Sequence, residues 1–73
     1  MNCWTFLNEI ECRIETIRAK SGDEEIAHQL EDKLHRDVLK AISKLRQDEF
    51  EFAPLFAKKA LGTCKLKFSR WYA

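Results

Sequence analysis

The chain has 73 residues, of which 45% are hydrophobic and 34% are charged. A chain of this length cannot divide its apolar surface between two cores, so residues 1–73 are expected to form a single domain. The apolar content excludes the intrinsically disordered class. The net charge of +1 is far from the strongly basic composition that is typical of nucleic-acid-binding domains.

The first predicted element is a helix over about residues 4–20. Its apolar residues recur at steps of four and three, which places them on one helical face: Cys3, Leu7, Ile10, Ile14 and Ile17. Gly22 suits the left-handed conformation that often ends a helix. Ser21 and Glu24 form the capping-box pattern that begins the next helix. So short a connection predicts that the two helices are antiparallel neighbours.

The second predicted helix covers about residues 23–46. One apolar stripe is expected to face the first helix: Ile26, Leu30, Leu34, Val38, Ala41 and Leu45. Leu39 and Ile42 lie on a shoulder beside this stripe, together with His28 and His35. Because one partner helix cannot cover both the stripe and the shoulder, we expect the C-terminal third of the chain to pack there as well.

The C-terminal third predicts a short third helix over about residues 54–61, since Pro54 suits a first helical turn and Gly62 suits a helix end. Hydrophobic and charged residues alternate at 49–52 and again at 64–68. This alternation indicates extended chain, and pairing of the two stretches as a minimal sheet is the less favoured alternative. The predicted fold is therefore mainly α: an antiparallel two-helix hairpin with a short third helix and an extended aromatic tail over 63–73.

Aromatic residues lie near both ends of the sequence. In an antiparallel hairpin the start of the first helix lies beside the end of the second, where the chain continues towards its tail. The rings are therefore expected to form a cluster that caps this end of the hairpin. Its members are Trp4, Phe6, Phe50, Phe52, Phe56, Phe68, Trp71 and Tyr72.

Charge is divided unevenly along the chain. Residues 1–52 hold all twelve acids and eight Lys or Arg, a net charge of −4, whereas residues 53–73 hold five unopposed cations. The favoured interpretation lays these cations on the acidic helices of the same chain. The alternative is that they bind phosphates while nearby rings stack on bases. The five cations are Lys58, Lys59, Lys65, Lys67 and Arg70.

No constellation of residues indicates catalysis. His28, Asp32 and His35 share a helix face, but no facing helix offers further ligands, so an ordinary surface is favoured over a metal site. The three cysteines are expected to be reduced, structural thiols in apolar stripes, as is usual in the cytoplasm. We therefore expect no enzymatic activity, cofactor, metal or small-molecule substrate. No apolar run has the length that a membrane-spanning helix needs, so no membrane association is expected either.

The final stretch, LGTCKLKFSRWYA, resembles the ends of some small uncharacterised proteins encoded by bacteriophages and prophages. The resemblance covers the last thirteen residues and is carried by a spaced hydrophobic stretch that leads into a terminal aromatic pair after an arginine. Its positions are Leu66, Phe68, Arg70, Trp71, Tyr72 and Ala73. It implies a phage-like origin and brings no activity with it.

These observations favour a non-enzymatic module that binds other proteins and self-associates, most simply as a homodimer. The predicted partner-binding residues are His35, Leu39 and Ile42 on the shoulder of the second helix and Trp71 and Tyr72 in the tail. The alternative is a small nucleic-acid-binding regulator that uses the five C-terminal cations.

Overall fold

The computed structural model describes residues 2–66 and shows a mainly helical chain. Three α-helices occupy Cys3–Ala19 (α1), Glu24–Ser43 (α2) and Ala53–Ala60 (α3). Two 3-10 helices, Gln47–Phe52 and Leu61–Lys65, precede and follow α3. Within the described residues there is no strand. The predicted class and the three predicted helices are confirmed.

The helix starts are set by two side chains that accept backbone hydrogen bonds. The Thr5 N–H donates to Asn2 Oδ1 over 3.1 Å, and the Ile26 N–H donates to Asp23 Oδ1 over 3.2 Å. The prediction that Ser21 caps α2 is wrong, because the Ser21 hydroxyl instead donates to the Ile17 carbonyl at the end of α1. The left-handed conformation predicted for Gly22 is also wrong, since no glycine among the described residues has a positive φ.

The core forms where α3 packs against both longer helices. Phe56 on α3 is fully buried, and its ring centroid lies 4.9 Å from that of Phe6 on α1. Each helix contributes to one continuous cluster, which contains Cys3, Ile10, Ile14 and Ile17 from α1, then Ala27, Leu34, Val38 and Ala41 from α2, with Leu45, Phe56, Ala60 and Leu66. The C-terminal third therefore packs against both longer helices, but the predicted covering of the α2 shoulder is wrong at Leu39, which is 67% exposed.

The buried stripe of α2 differs from the predicted one at its N-terminal end. Ala27 and Glu31 are buried there, whereas Ile26 is 41% exposed and Leu30 is half-buried. Because α2 contacts both α1 and α3, its buried face lies between these two neighbours rather than directly opposite α1. Ile26 thus lies at the edge of the buried face.

Part of the predicted aromatic cluster is present. Trp4 contacts Phe52 edge-on at a centroid distance of 5.2 Å, and Phe52 lies 6.1 Å from Phe56. Phe50 is 58% exposed, so its placement in the cluster is wrong. Phe68, Trp71 and Tyr72 lie outside the described residues.

The extended chain predicted at 49–52 is wrong, and so is the extended chain predicted for the start of the tail, because residues 63–65 are also in a 3-10 helix. Glu49 turns the first of these segments into a 3-10 helix, because its carboxylate accepts from the Arg46 N–H over 3.0 Å while its own N–H donates to the Arg46 carbonyl. In the second, the Leu66 N–H donates back to the Thr63 carbonyl. Local hydrogen bonds therefore prevail over a two-residue alternation that is only a few residues long.

Candidate interaction surface

An apolar groove of about 200 Å³ runs between α2 and α3. All three shoulder residues predicted to bind a partner line it. Leu39 is 67% exposed at one side, and Leu61, which follows α3, is 59% exposed at the other. Among the described residues, the groove is lined by His35, Val38, Leu39, Ile42, Ala57, Ala60 and Leu61.

The groove exists because α3 is short and presents only small side chains to it. Eight residues give a helix of only about two turns, which leaves part of the apolar second half of α2 uncovered. The side chains that α3 turns towards the groove are Ala57 and Ala60. Since methyl groups cannot fill the space beside Leu39 and Ile42, apolar surface stays open to solvent.

His35 contributes the polar group of this surface. Its Nε2 lies 2.9 Å from the hydroxyl of Thr63, which is fully buried and donates in turn to the Ala60 carbonyl over 3.2 Å. This chain of contacts ties the 3-10 helix after α3 to the middle of α2. The contact between His35 and Thr63 thus joins the two sides of the groove.

A second groove, of about 480 Å³, lies on the other side of α3, against the start of α1. Trp4, 66% exposed, and Leu55, 42% exposed, supply its apolar surface. The other described residues that line it are Leu7, Asn8, Lys58 and Lys59. We call the first groove the α2–α3 groove and the second the α1–α3 groove.

The cations predicted to bind phosphate are only partly gathered. Lys58 and Lys59 both line the α1–α3 groove, where Lys59 Nζ lies 3.4 Å from Glu11 Oε1. Lys58 makes no ion pair with any residue between 2 and 66. Lys65 is exposed in the second 3-10 helix. Lys67 and Arg70 lie outside the described residues, as do the predicted partner-binding residues Trp71 and Tyr72.

Sequence reasoning missed Trp4, Leu55 and Leu61 as members of these surfaces. On α3 the buried positions are Phe56 and Ala60, one turn apart. At about 100° per residue, Leu55 and Leu61 fall on opposite sides of that buried stripe. This angular signal is present in the sequence, but it becomes informative only once Phe56 is known to face the core.

The candidate metal-binding residues of α2 do not converge on one site. His28 Nε2 lies 3.3 Å from Asp32 Oδ2, while His35 faces Thr63. Among the described residues, no group of three metal-binding side chains comes together.

The thiols differ in environment. Cys3 is buried, its thiol donates to Glu49 Oε2 over 3.6 Å, and burial followed by the charge of Glu49 raises its pKa. Cys12 and Cys64 are exposed, so the prediction that all three cysteines lie in apolar stripes is wrong for these two. Cys12 lies two residues from both Ile10 and Ile14, which places it across α1 from the buried face.

Comparison with known proteins gives no match: no protein-family model, curated protein or solved structure is similar to this chain. No helix within residues 2–66 combines the length and the apolar composition needed to cross a bilayer.

Proposed function

We propose that this protein is a non-enzymatic interaction module that self-associates through the α2–α3 groove. The observation that carries the proposal is the exposure of Leu39 and Leu61 on the two sides of one apolar groove. Contiguous apolar surface on a small protein marks a site of association far more often than a scatter of single apolar residues does. Covering this surface stabilises a domain whose own core is small.

The distribution of exposed apolar residues supports the same proposal. Within residues 2–66, six large hydrophobic side chains are exposed, and four of them line the two grooves that flank α3. These four are Trp4, Leu39, Leu55 and Leu61. A second copy placed over the outer face of α3 covers both grooves in one contact.

We also propose that α1 and α2 form an antiparallel hairpin. An antiparallel α1–α2 hairpin is supported by the connection of four residues between Ala19 and Glu24. The ion pair of 3.0 Å between Arg13 of α1 and Asp37 of α2 supports it further. Trp71 and Tyr72 are predicted from the sequence to make additional contacts with the partner. A cytoplasmic location is supported by the three free cysteines.

The test is the mass in solution of Leu39→Glu, measured by light scattering across a concentration series. Leu39 is exposed, so the charge leaves the fold intact, but it places a carboxylate in the apolar contact. We expect the variant to be monomeric at concentrations where the parent protein is dimeric, with unchanged helical circular dichroism.

Ile26→Glu is the matched control, because Ile26 is an exposed apolar residue on the same helix but outside both grooves. We expect it to associate like the parent protein. If Leu39→Glu and the parent protein have the same mass at every concentration, the proposal is wrong.

The second candidate function is binding of single-stranded nucleic acid. The proximity of the exposed Trp4 ring to Lys58 and Lys59 in one groove supports it, since a ring can stack on a base while cations hold phosphates. Salt separates the two functions. Two phosphate contacts lose roughly sevenfold in affinity over a fourfold rise in salt, whereas an apolar protein contact changes little.

A further inference from the structure

The first 3-10 helix displays an aromatic ring between acidic residues. Phe50 is 58% exposed and lies between Glu49 and Glu51. Glu49 is occupied within the chain, because its carboxylate accepts from the Arg46 N–H. Glu51 is exposed and makes no ion pair with any described residue. The segment therefore presents a ring and a carboxylate to solvent.

The α1–α3 groove presents the opposite chemistry. Trp4 and Leu55 offer exposed apolar surface, and Lys58 in the lining offers an ammonium group that is unpaired among residues 2–66. Lys58 follows Glu51 by only seven positions, yet the two do not form an ion pair within the chain. Neither charge is thus paired with a described residue.

We infer that, in the self-associated protein, Phe50 of a second copy docks in the α1–α3 groove, with Glu51 of that copy against Lys58. This inference rests on the proposed self-association and identifies which surfaces meet in it. In a twofold dimer each contact occurs twice, so one ring and one ion pair per copy become two of each. The aromatic ring supplies the buried area and the ion pair fixes the register.

The chemistry of the groove favours a protein segment over a nucleic acid. Its apolar lining combines one indole ring with the aliphatic side chains of Leu7 and Leu55, and the Trp4 ring already packs against Phe52. Of the two lysines in the groove, Lys59 is close to Glu11, whereas Lys58 has no ion pair within residues 2–66. One cation and one ring suit a carboxylate and a phenyl group better than a run of phosphates and bases.

The test exchanges the charges of Lys58 and Glu51 and measures the dissociation constant of the dimer. Lys58→Glu and Glu51→Lys are each expected to raise the dimer dissociation constant about tenfold at low salt, because each replaces attraction by repulsion at two symmetric contacts. The double variant Lys58→Glu/Glu51→Lys is expected to restore the parent value to within about twofold, since the pair is re-formed with its charges exchanged. Phe50→Ser is expected to raise the constant about tenfold or more by removing the buried ring.

Lys20→Glu and Glu25→Lys are the matched controls, because both positions are exposed and lie outside the two grooves. Neither is expected to change association, and circular dichroism checks the fold of every variant. If Leu39→Glu dissociates the dimer but the Lys58 and Glu51 variants do not, the inference is overturned and the proposed self-association stands. Single variants that weaken the dimer without mutual restoration also overturn it. If Leu39→Glu leaves the mass unchanged, the proposed function itself fails.

Discussion

Asp37 links neighbouring parts of the structure through two ion pairs. Its Oδ2 lies 3.0 Å from Arg13 Nη1 on α1 and 3.1 Å from Lys33 Nζ one turn earlier on α2. The hydrogen bond from Lys33 is the largest cause that lowers the pKa of the Asp37 carboxyl below 3.8, and the hydrogen bond from Arg13 adds to it. The folded protein therefore stabilises the ionised form of this residue.

We expect Asp37→Asn to lower the free energy of unfolding by roughly 0.5 to 1 kcal/mol at neutral pH, as the loss of partly exposed ion pairs does. Because the carboxyl pKa is lower in the folded state, its contribution is present above the unfolded pKa and is lost as the pH falls through the folded one. Urea unfolding of both proteins should thus differ at neutral pH and converge in strong acid. A difference that persists in acid contradicts this account, and Asp48→Asn, at an exposed site, is the control.

At the start of α2, the residue that caps the helix is not the one that the local sequence pattern indicates. Ser21 matches the capping-box pattern with Glu24, but Asp23 is the residue whose carboxylate accepts from the first turn. Asp23 also places negative charge at the helix N-terminus, where the helix dipole favours it.

Asp23→Ala should therefore cost about 1 kcal/mol of stability, the usual effect of removing an N-cap. Ser21→Ala should cost clearly less, because it removes only a hydroxyl contact of 3.3 Å to the Ile17 carbonyl. Thermal unfolding of the two variants in parallel decides the point. A larger loss for Ser21→Ala would restore the capping box as the correct description.

The helices could be predicted from the sequence because their apolar residues keep a helical period over several turns. The shoulder of Leu39, Ile42 and His35 could be predicted for the same reason, since their spacing alone puts them on one side of α2. The segment around Glu49 could not, because four alternating residues match a strand as well as a turn. The α1–α3 groove depends on how α3 is oriented by Phe56, which is a property of packing and not of local period.

The stability of the whole fold depends on a small number of buried side chains. The described chain extends over 40 × 23 × 16 Å, so most side chains are close to solvent. Among the described residues, Phe56 is the largest that is fully buried, and its ring joins α3 to Phe6 of α1. A domain of this size is expected to have a total stability of roughly 4 to 11 kcal/mol.

Phe56→Ala should remove about 3 to 5 kcal/mol, which is a large part of that total, and should leave much of the protein unfolded at moderate temperature. Ile26→Ala is the control, because Ile26 is an exposed apolar residue outside both grooves and its truncation removes little buried contact. Denaturant titrations monitored by circular dichroism measure both. Equal losses at the two positions would show that the core is not centred on Phe56.

The difference between the buried thiol of Cys3 and the exposed thiols of Cys12 and Cys64 has a practical consequence for every mass measurement. In air, accessible thiols of two chains can oxidise to an intermolecular disulfide, and such a covalent link holds two molecules together whether or not their grooves meet. A reducing agent removes this link. Under those conditions, the weight of the particle in solution reports on the non-covalent contact alone.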